Sequence, residues 1–165
     1  MERSLKPQMI ESLADRPAGP TGSGLEARFP GKYVSLTSFR RDGTGVATPV
    51  WFVVENGRLL IQTDPQSFKA KRIRRNPAVL VAPCTASGRV RGDWVPATAE
   101  FLSDAETDHV GQLLARKYRL DRVLILPLYR AVQRLRGAPA GSTNVAVAVT
   151  PISSKSGQMN PEDSS

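Results

Sequence analysis

Few residues in this chain have the type and spacing to do chemistry by themselves. His109 is the only histidine and Cys84 the only cysteine. A histidine-activated nucleophile would have to use His109, yet no serine or cysteine stands in a partner role and no G-x-S-x-G turn occurs. Cys84 ends an apolar stretch, where cysteine packs as a small hydrophobe. A cysteine zinc cluster and a histidine-rich metal site are both excluded, so no metal is expected. Asp93, Glu100 and Asp104 alternate with apolar residues or cap a helix, and they form no acid–base pair.

Anion binding is left, and one segment stands out for it. A G-x-G-x-x-A spelling at 22–27 follows no strand, and the P-loop lysine pattern is missing. Residues 63–72, TDPQSFKAKR, join a strand end to a helix start, with a hydroxyl at Ser67 and cations at Lys69, Lys71 and Arg72. Free amides at a helix amino terminus favour an anion, and adjacent cations strengthen that field. Without a ligand the placement runs against helix electrostatics, which prefer acids in the first turn and bases in the last. Arg74 and Arg75 obey that rule. Lys69 breaks it, and a bound phosphate would resolve the conflict. The alternative is a solvated basic face.

The elements that must position this segment are mainly β. Strands are expected over 33–38, 46–55, 58–63, 78–84, 89–91, 94–102 and 144–150. Asn56-Gly57 is a tight-hairpin signal, because both central residues of such a turn need positive φ. Pro49 cannot donate to a ladder, which predicts an edge or a bulge there. Asp64-Pro65 reads as an N-cap and first helical residue, opening a short basic helix from 65 to 76 that Pro77 ends. A second helix is expected from Asp104 over DAETDHVGQLLARKY, with Val110, Leu113 and Leu114 on one face. A third is expected over 122–136, disturbed by Pro127. Six or seven strands with a short basic helix and two C-terminal helices predict a small mixed barrel, mainly β with α. The crossovers of a doubly wound parallel sheet are missing.

Length and composition agree. The 165 residues suffice for one domain, and 23% charged with 40% hydrophobic residues is a globular mix. A flexible arm is expected over 1–27, the folded domain over 28–152 and a disordered tail over 153–165. The amino terminus lacks the apolar core of a signal peptide, and the longest apolar run is far short of a membrane span. A soluble cytoplasmic protein is expected. Lys and Arg total 23 against 15 Asp and Glu, and the resulting charge of +8 predicts an anionic partner.

The run from Leu59 to Val81, LLIQTDPQSFKAKRIRRNPAVLV, resembles the phosphate-binding strand–helix of the pyridoxamine 5′-phosphate oxidase-like split β-barrel flavoproteins. Its T-x-x-x-S-x-K spacing is present as Thr63, Ser67 and Lys69, with Asn76-Pro77 before the next strand. Upstream, ATPVWF at 47–52 resembles the signature of the branch that uses the deazaflavin coenzyme F420. The resemblance covers about half the chain, from Tyr33 to Leu102, with a looser echo at 115–137 and in the last strand. It implies an FMN-binding-like split barrel in which Ser67 and Lys69 grip the cofactor phosphate. Lys71 and Arg72 then fall at further anion contacts, and Thr63 at a cofactor-facing strand end. Thr48, Pro49, Val50 and Trp51 match the strand that lies along the deazaflavin ring. The flavin-mononucleotide oxidases carry R-x-V-L-L-K at the level of this T-P-V-W, a departure that favours the deazaflavin branch.

The function implied is an F420H2-dependent oxidoreductase that reduces a small conjugated or electron-poor acceptor. Such an enzyme needs a slot and a phosphate grip but no triad, because the cofactor carries the hard step. The cofactor's oligoglutamate tail would suit the surplus of arginine, including the seven cations between Arg116 and Arg136. The family resemblance also implies a homodimer with pockets at the subunit interface, where Trp51 and Trp94 are candidate lining residues. No proton donor is assigned, and Tyr33 and Tyr118 are guesses. The alternatives are an FMN- or haem-binding split-barrel protein and an F420 carrier. A nucleic-acid backbone binder ranks third, because 6% aromatics leave no stacking cluster beside the basic helix. Membrane attachment through 122–136 ranks last, because Pro127 breaks its apolar face.

Overall fold

The computed structural model describes residues 3–5, 24–119 and 144–152. Eight strands form one sheet: β1 (Arg3–Leu5), β2 (Tyr33–Phe39), β3 (Gly45–Trp51), β4 (Val53–Glu55), β5 (Arg58–Thr63), β6 (Ala78–Cys84), β7 (Val95–Phe101) and β8 (Val145–Pro151). Their spatial order is β1-β3-β2-β6-β7-β8-β5-β4, and every pairing is antiparallel. Among the described residues three helices accompany them: α1 (Gly24–Arg28), α2 (Phe68–Arg75) and α3 (Asp104–Lys117).

Alternation along the strands builds the curl. Val34 and Leu36 of β2, Leu59 and Ile61 of β5, Val79 and Val81 of β6, and Val147 and Val149 of β8 meet in one interior cluster. Leu60, Ala146 and Ala148, one residue out of phase, face the other way. They pack with Val110, Leu114 and Tyr118, so α3 covers the outside of β4, β5 and β8. The result is the mainly β split barrel that the resemblance implied. No helix among the described residues is long and apolar enough to cross a membrane.

Several boundaries match the sequence reading. The strands over 58–63 and 78–84 fall where expected, and Asn56 and Gly57 have φ of 51° and 71° in the hairpin that joins β4 to β5. Pro49 lies in β3 opposite Ser35, and no described strand pairs the outer edge of β3 beyond Ala47. An edge is where its missing N–H does no harm.

Other expectations need correction. The run 46–55 is not one strand, because Phe52 leaves the ladder. Its N–H donates to Tyr118 Oη at 3.2 Å, and its carbonyl accepts from Tyr118 Oη at 2.7 Å and Lys117 Nζ at 3.0 Å. Residues 89–91 make only a single bridge, Cys84 to Val90. The basic helix starts at Phe68, three residues later than expected, since Ser67 rather than Asp64 is its cap. Residues 1–27 are not simply a flexible arm: Arg3–Leu5 pairs with β3, and α1 inserts Leu25 into the core. The helix expected over 122–136 and the tail 153–165 lie outside the described residues.

Candidate functional site at the β5–α2 junction

β5 ends at Thr63, and the chain turns because Asp64 satisfies the next amides itself. Its Oδ1 accepts from the Gln66 N–H at 2.8 Å and its carbonyl from the Ser67 N–H at 3.1 Å. Ser67 then caps α2, with extended backbone and Oγ accepting from the Ala70 N–H at 3.1 Å. Ser67 Oγ also lies 3.3 Å from Thr63 Oγ1, so two hydroxyls sit together at the helix start. The first amides of α2 find no acceptor within the helix.

α2 has five cations and no acid in its first turn. Three of the five are tied to the protein. Arg72, buried, donates from Nε to Ser38 Oγ at 2.8 Å. Arg74 donates to the Pro65 carbonyl at 2.7 Å and lies 4.9 Å over Phe101, and Arg75 donates to the Phe39 carbonyl at 2.8 Å. Lys69 has no hydrogen-bond or ion-pair partner among the described residues. Burial, helped by the charge of Arg72, pulls its ammonium down to a pKa of about 8. Lys71 is exposed. A half-buried ammonium in the first turn of the helix that these hydroxyls and free amides open belongs to a segment rich in donors for an oxyanion.

The second group of sequence-predicted residues lies on β3. Thr48 is half-buried, its Oγ1 3.5 Å from the Leu36 carbonyl, and Pro49 is also half-buried. The Val50 side chain belongs to the interior core. Trp51 stacks on Tyr118, centroids 4.8 Å apart and planes 7° apart, and meets Tyr33 at 6.3 Å. α2 is tied to Ser38 and Phe39, which register with Val46 and Gly45 at the start of β3. Residues 48–51 therefore run away from α2 along an edge with no described strand on it, over roughly 10 Å at the usual strand rise. The structure thus brings the Thr63 and Ser67 hydroxyls together, with Lys69, Lys71 and Arg72 on the helix that Ser67 caps. Thr48–Trp51 form a separate strip along the far part of β3.

The remaining groups offer no competing chemistry. His109 Nε2 lies 2.9 Å from the Glu55 carboxylate on an exposed helix face. Burial pushes the Cys84 thiol up to about 11, the opposite of an activated nucleophile. Tyr118 is buried, and its hydroxyl, 2.6 Å from the Lys32 carbonyl, serves the backbone around Phe52. That removes it as a proton donor. Trp94 is half-buried. No cluster of three metal-ligating side chains occurs among the described residues. The sequence reading missed the clamp of Lys117 and Tyr118 on Phe52 and the exposure of Phe68. It also missed a cleft of about 420 Å³ between Glu26, Phe29, Phe52, Val54, Leu113 and Lys117. The apolar spacing of the second helix hinted at the clamp. Nothing in the sequence pointed to the cleft, which is built by three separate segments.

The pyridoxamine 5′-phosphate oxidase family matches residues 30–133 of this sequence. No curated protein matches it. Among solved structures, a conserved hypothetical protein from Mycobacterium tuberculosis is 20% identical with a TM-score of 0.56, covering 82% of this chain and 85% of that one. A putative 5-nitroimidazole antibiotic resistance protein from Bacteroides thetaiotaomicron is 14% identical with a TM-score of 0.52, covering 92% and 84%. A structure described as an F420 reductase is 18% identical with a TM-score of 0.50, covering 81% and 95%. At these identities the likeness is one of fold.

Proposed function

Since this chain belongs to the pyridoxamine 5′-phosphate oxidase family, we propose that it binds coenzyme F420 and works as an F420H2-dependent reductase of a small conjugated or electron-poor acceptor. The observation that carries this is the start of α2, where the Thr63 and Ser67 hydroxyls lie 3.3 Å apart and half-buried Lys69, in the first turn, has no hydrogen-bond or ion-pair partner among the described residues. Lys69, Ser67 and the first amides of α2 hold the phosphate, and Lys71 adds charge. Arg72, braced against Ser38, contributes its field from behind. Thr48, Pro49, Val50 and Trp51 lie along the ring, and the open backbone edge of β3 supplies donors and acceptors to it. The T-P-V-W sequence of that edge supports the deazaflavin over a flavin. When bound, the cofactor supplies the hydride from its ring carbon. The residues around it need only grip, orient and exclude water, which suits a site poor in acids and bases. As in the family, the working form is a homodimer.

Fluorescence titration with oxidised F420, with FMN in parallel, tests the reading. Saturable micromolar binding of F420 without FMN binding is expected. Lys69→Ala should weaken that binding by about tenfold or more, the loss expected for a charged partner of a phosphate. FMN binding alone, or an unchanged affinity in Lys69→Ala, would overturn the assignment.

A further inference from the structure

β3 ends where the proposed ring strip ends. Thr48, Pro49 and Val50 are held by their register with Leu36, Ser35 and Val34 of β2, and Trp51 opposite Tyr33 is the last pair of that ladder. A half-buried indole at a strand terminus keeps its rotamer freedom unless something outside the ladder fixes it. Tyr118, the C-cap of α3, fixes it in two ways. Its hydroxyl accepts from the Phe52 N–H at 3.2 Å and lies 2.7 Å from the Phe52 carbonyl, which pins the residue that follows Trp51. Lys117 Nζ donates to the same carbonyl at 3.0 Å. The Tyr118 ring lies flat on the indole, centroids 4.8 Å apart and planes 7° apart. Tyr118 is itself buried, and its hydroxyl reaches the Lys32 carbonyl at 2.6 Å, so the brace is anchored in the body of the protein.

We propose that Tyr118 is a positioning residue, whose ring sets the indole plane of Trp51 before the deazaflavin arrives. This rests on the F420 reading and deepens it, since it names what fixes the far end of the ring strip. A side chain that is already ordered loses no rotamer freedom when a ligand settles against it, and for one such side chain that saving is worth about fivefold in affinity. The two services of Tyr118 are carried by different atoms. The hydroxyl holds the break between β3 and β4, and the ring holds the indole. Stability and affinity therefore separate by substitution.

The test is a fluorescence titration of the full chain with F420 and with the ribityl deazaflavin that lacks the phosphate, which reads the ring strip without the anion site. Tyr118→Met fills the space without a ring plane and should weaken both probes by the same factor, about fivefold. Tyr118→Phe loses the hydroxyl bonds and unfolds at lower urea. It keeps the stack, and should bind both probes within about twofold of wild type. Full affinity in Tyr118→Met, or an equal loss in Tyr118→Phe, would overturn the positioning role while leaving the F420 reading in place. Trp94→Phe makes Trp51 the only tryptophan of the chain. Its time-resolved anisotropy should show no sub-nanosecond motion of the indole before ligand is added. Fast local motion there would overturn the role even if Tyr118→Met failed to fold. Failure of wild type to bind either probe would defeat the F420 reading itself.

Discussion

A half-buried ammonium with no counter-charge among the described residues loses hydration and gains nothing, so Lys69 weakens the fold unless a ligand pairs with it. Burial lowers its pKa to about 8 from the usual 10.5. Between those values the unfolded chain holds a proton that the folded chain has released, so stability rises with pH across that window. Below it the full cost is present. Lys69→Met should therefore raise the thermal midpoint of the ligand-free protein at pH 7, by an amount corresponding to about 1 kcal/mol or more, and the gain should shrink towards pH 10. Scanning calorimetry at both pH values measures it. Cofactor affinity should show the converse trend. Binding an anion raises the Lys69 pKa and takes up a proton, so affinity should hold below pH 7 and decline above about 8. An affinity that is flat from pH 7 to 9.5 would place the anion elsewhere.

Two elements turn the sheet into a site, and each hangs on a single side chain. Ser67 is both the cap of α2 and a hydroxyl of the proposed anion site. The two roles separate by charge. Ser67→Asp should keep the cap and the stability of α2, since aspartate caps as well as serine, yet it should abolish cofactor binding by placing a negative charge against the phosphate. Ser67→Ala should instead cost about 1 kcal/mol in urea unfolding. α3 is held to the break between β3 and β4 by Tyr118, whose hydroxyl meets the Phe52 amide and carbonyl and the Lys32 carbonyl. Tyr118→Phe keeps the ring against Trp51 but strands those backbone groups. It should cost about 1–3 kcal/mol in urea unfolding, with the ring stack intact by near-ultraviolet circular dichroism.

At the scale of the whole molecule the curled sheet has two outer regions of different character. α3 covers β4, β5 and β8, whereas the outer edge of β3 beyond Ala47 has no described strand beside it. In the proposed homodimer a second copy would cover Thr48–Trp51 along that edge. Sedimentation equilibrium at micromolar concentration should return twice the chain mass. A monomer would confine the site to the residues of one chain. The hairpin at Asn56-Gly57, the strands 58–63 and 78–84 and the edge position of Pro49 were readable in advance, because each rests on a local rule. The break at Phe52 was not. A β-branched and aromatic run gives no sign that a tyrosine 66 residues later will take its amide.

The sequence alone determined the mainly β architecture, the basic helix behind a strand, and the placement of Thr63, Ser67 and Lys69 within seven residues at their junction. It also determined what chemistry is missing, since a lone histidine and a lone cysteine leave few combinations. The tertiary structure decided which cations are free. Arg72, Arg74 and Arg75 look like Lys69 and Lys71 in sequence, and only folding brought Ser38, Pro65 and Phe39 within reach of their guanidiniums. It also decided that Ser67 caps α2, because Asp64 spends its carboxylate on the turn before the helix begins. Local rules specify the conformation of a segment, whereas the availability of a charge depends on what the rest of the chain places beside it.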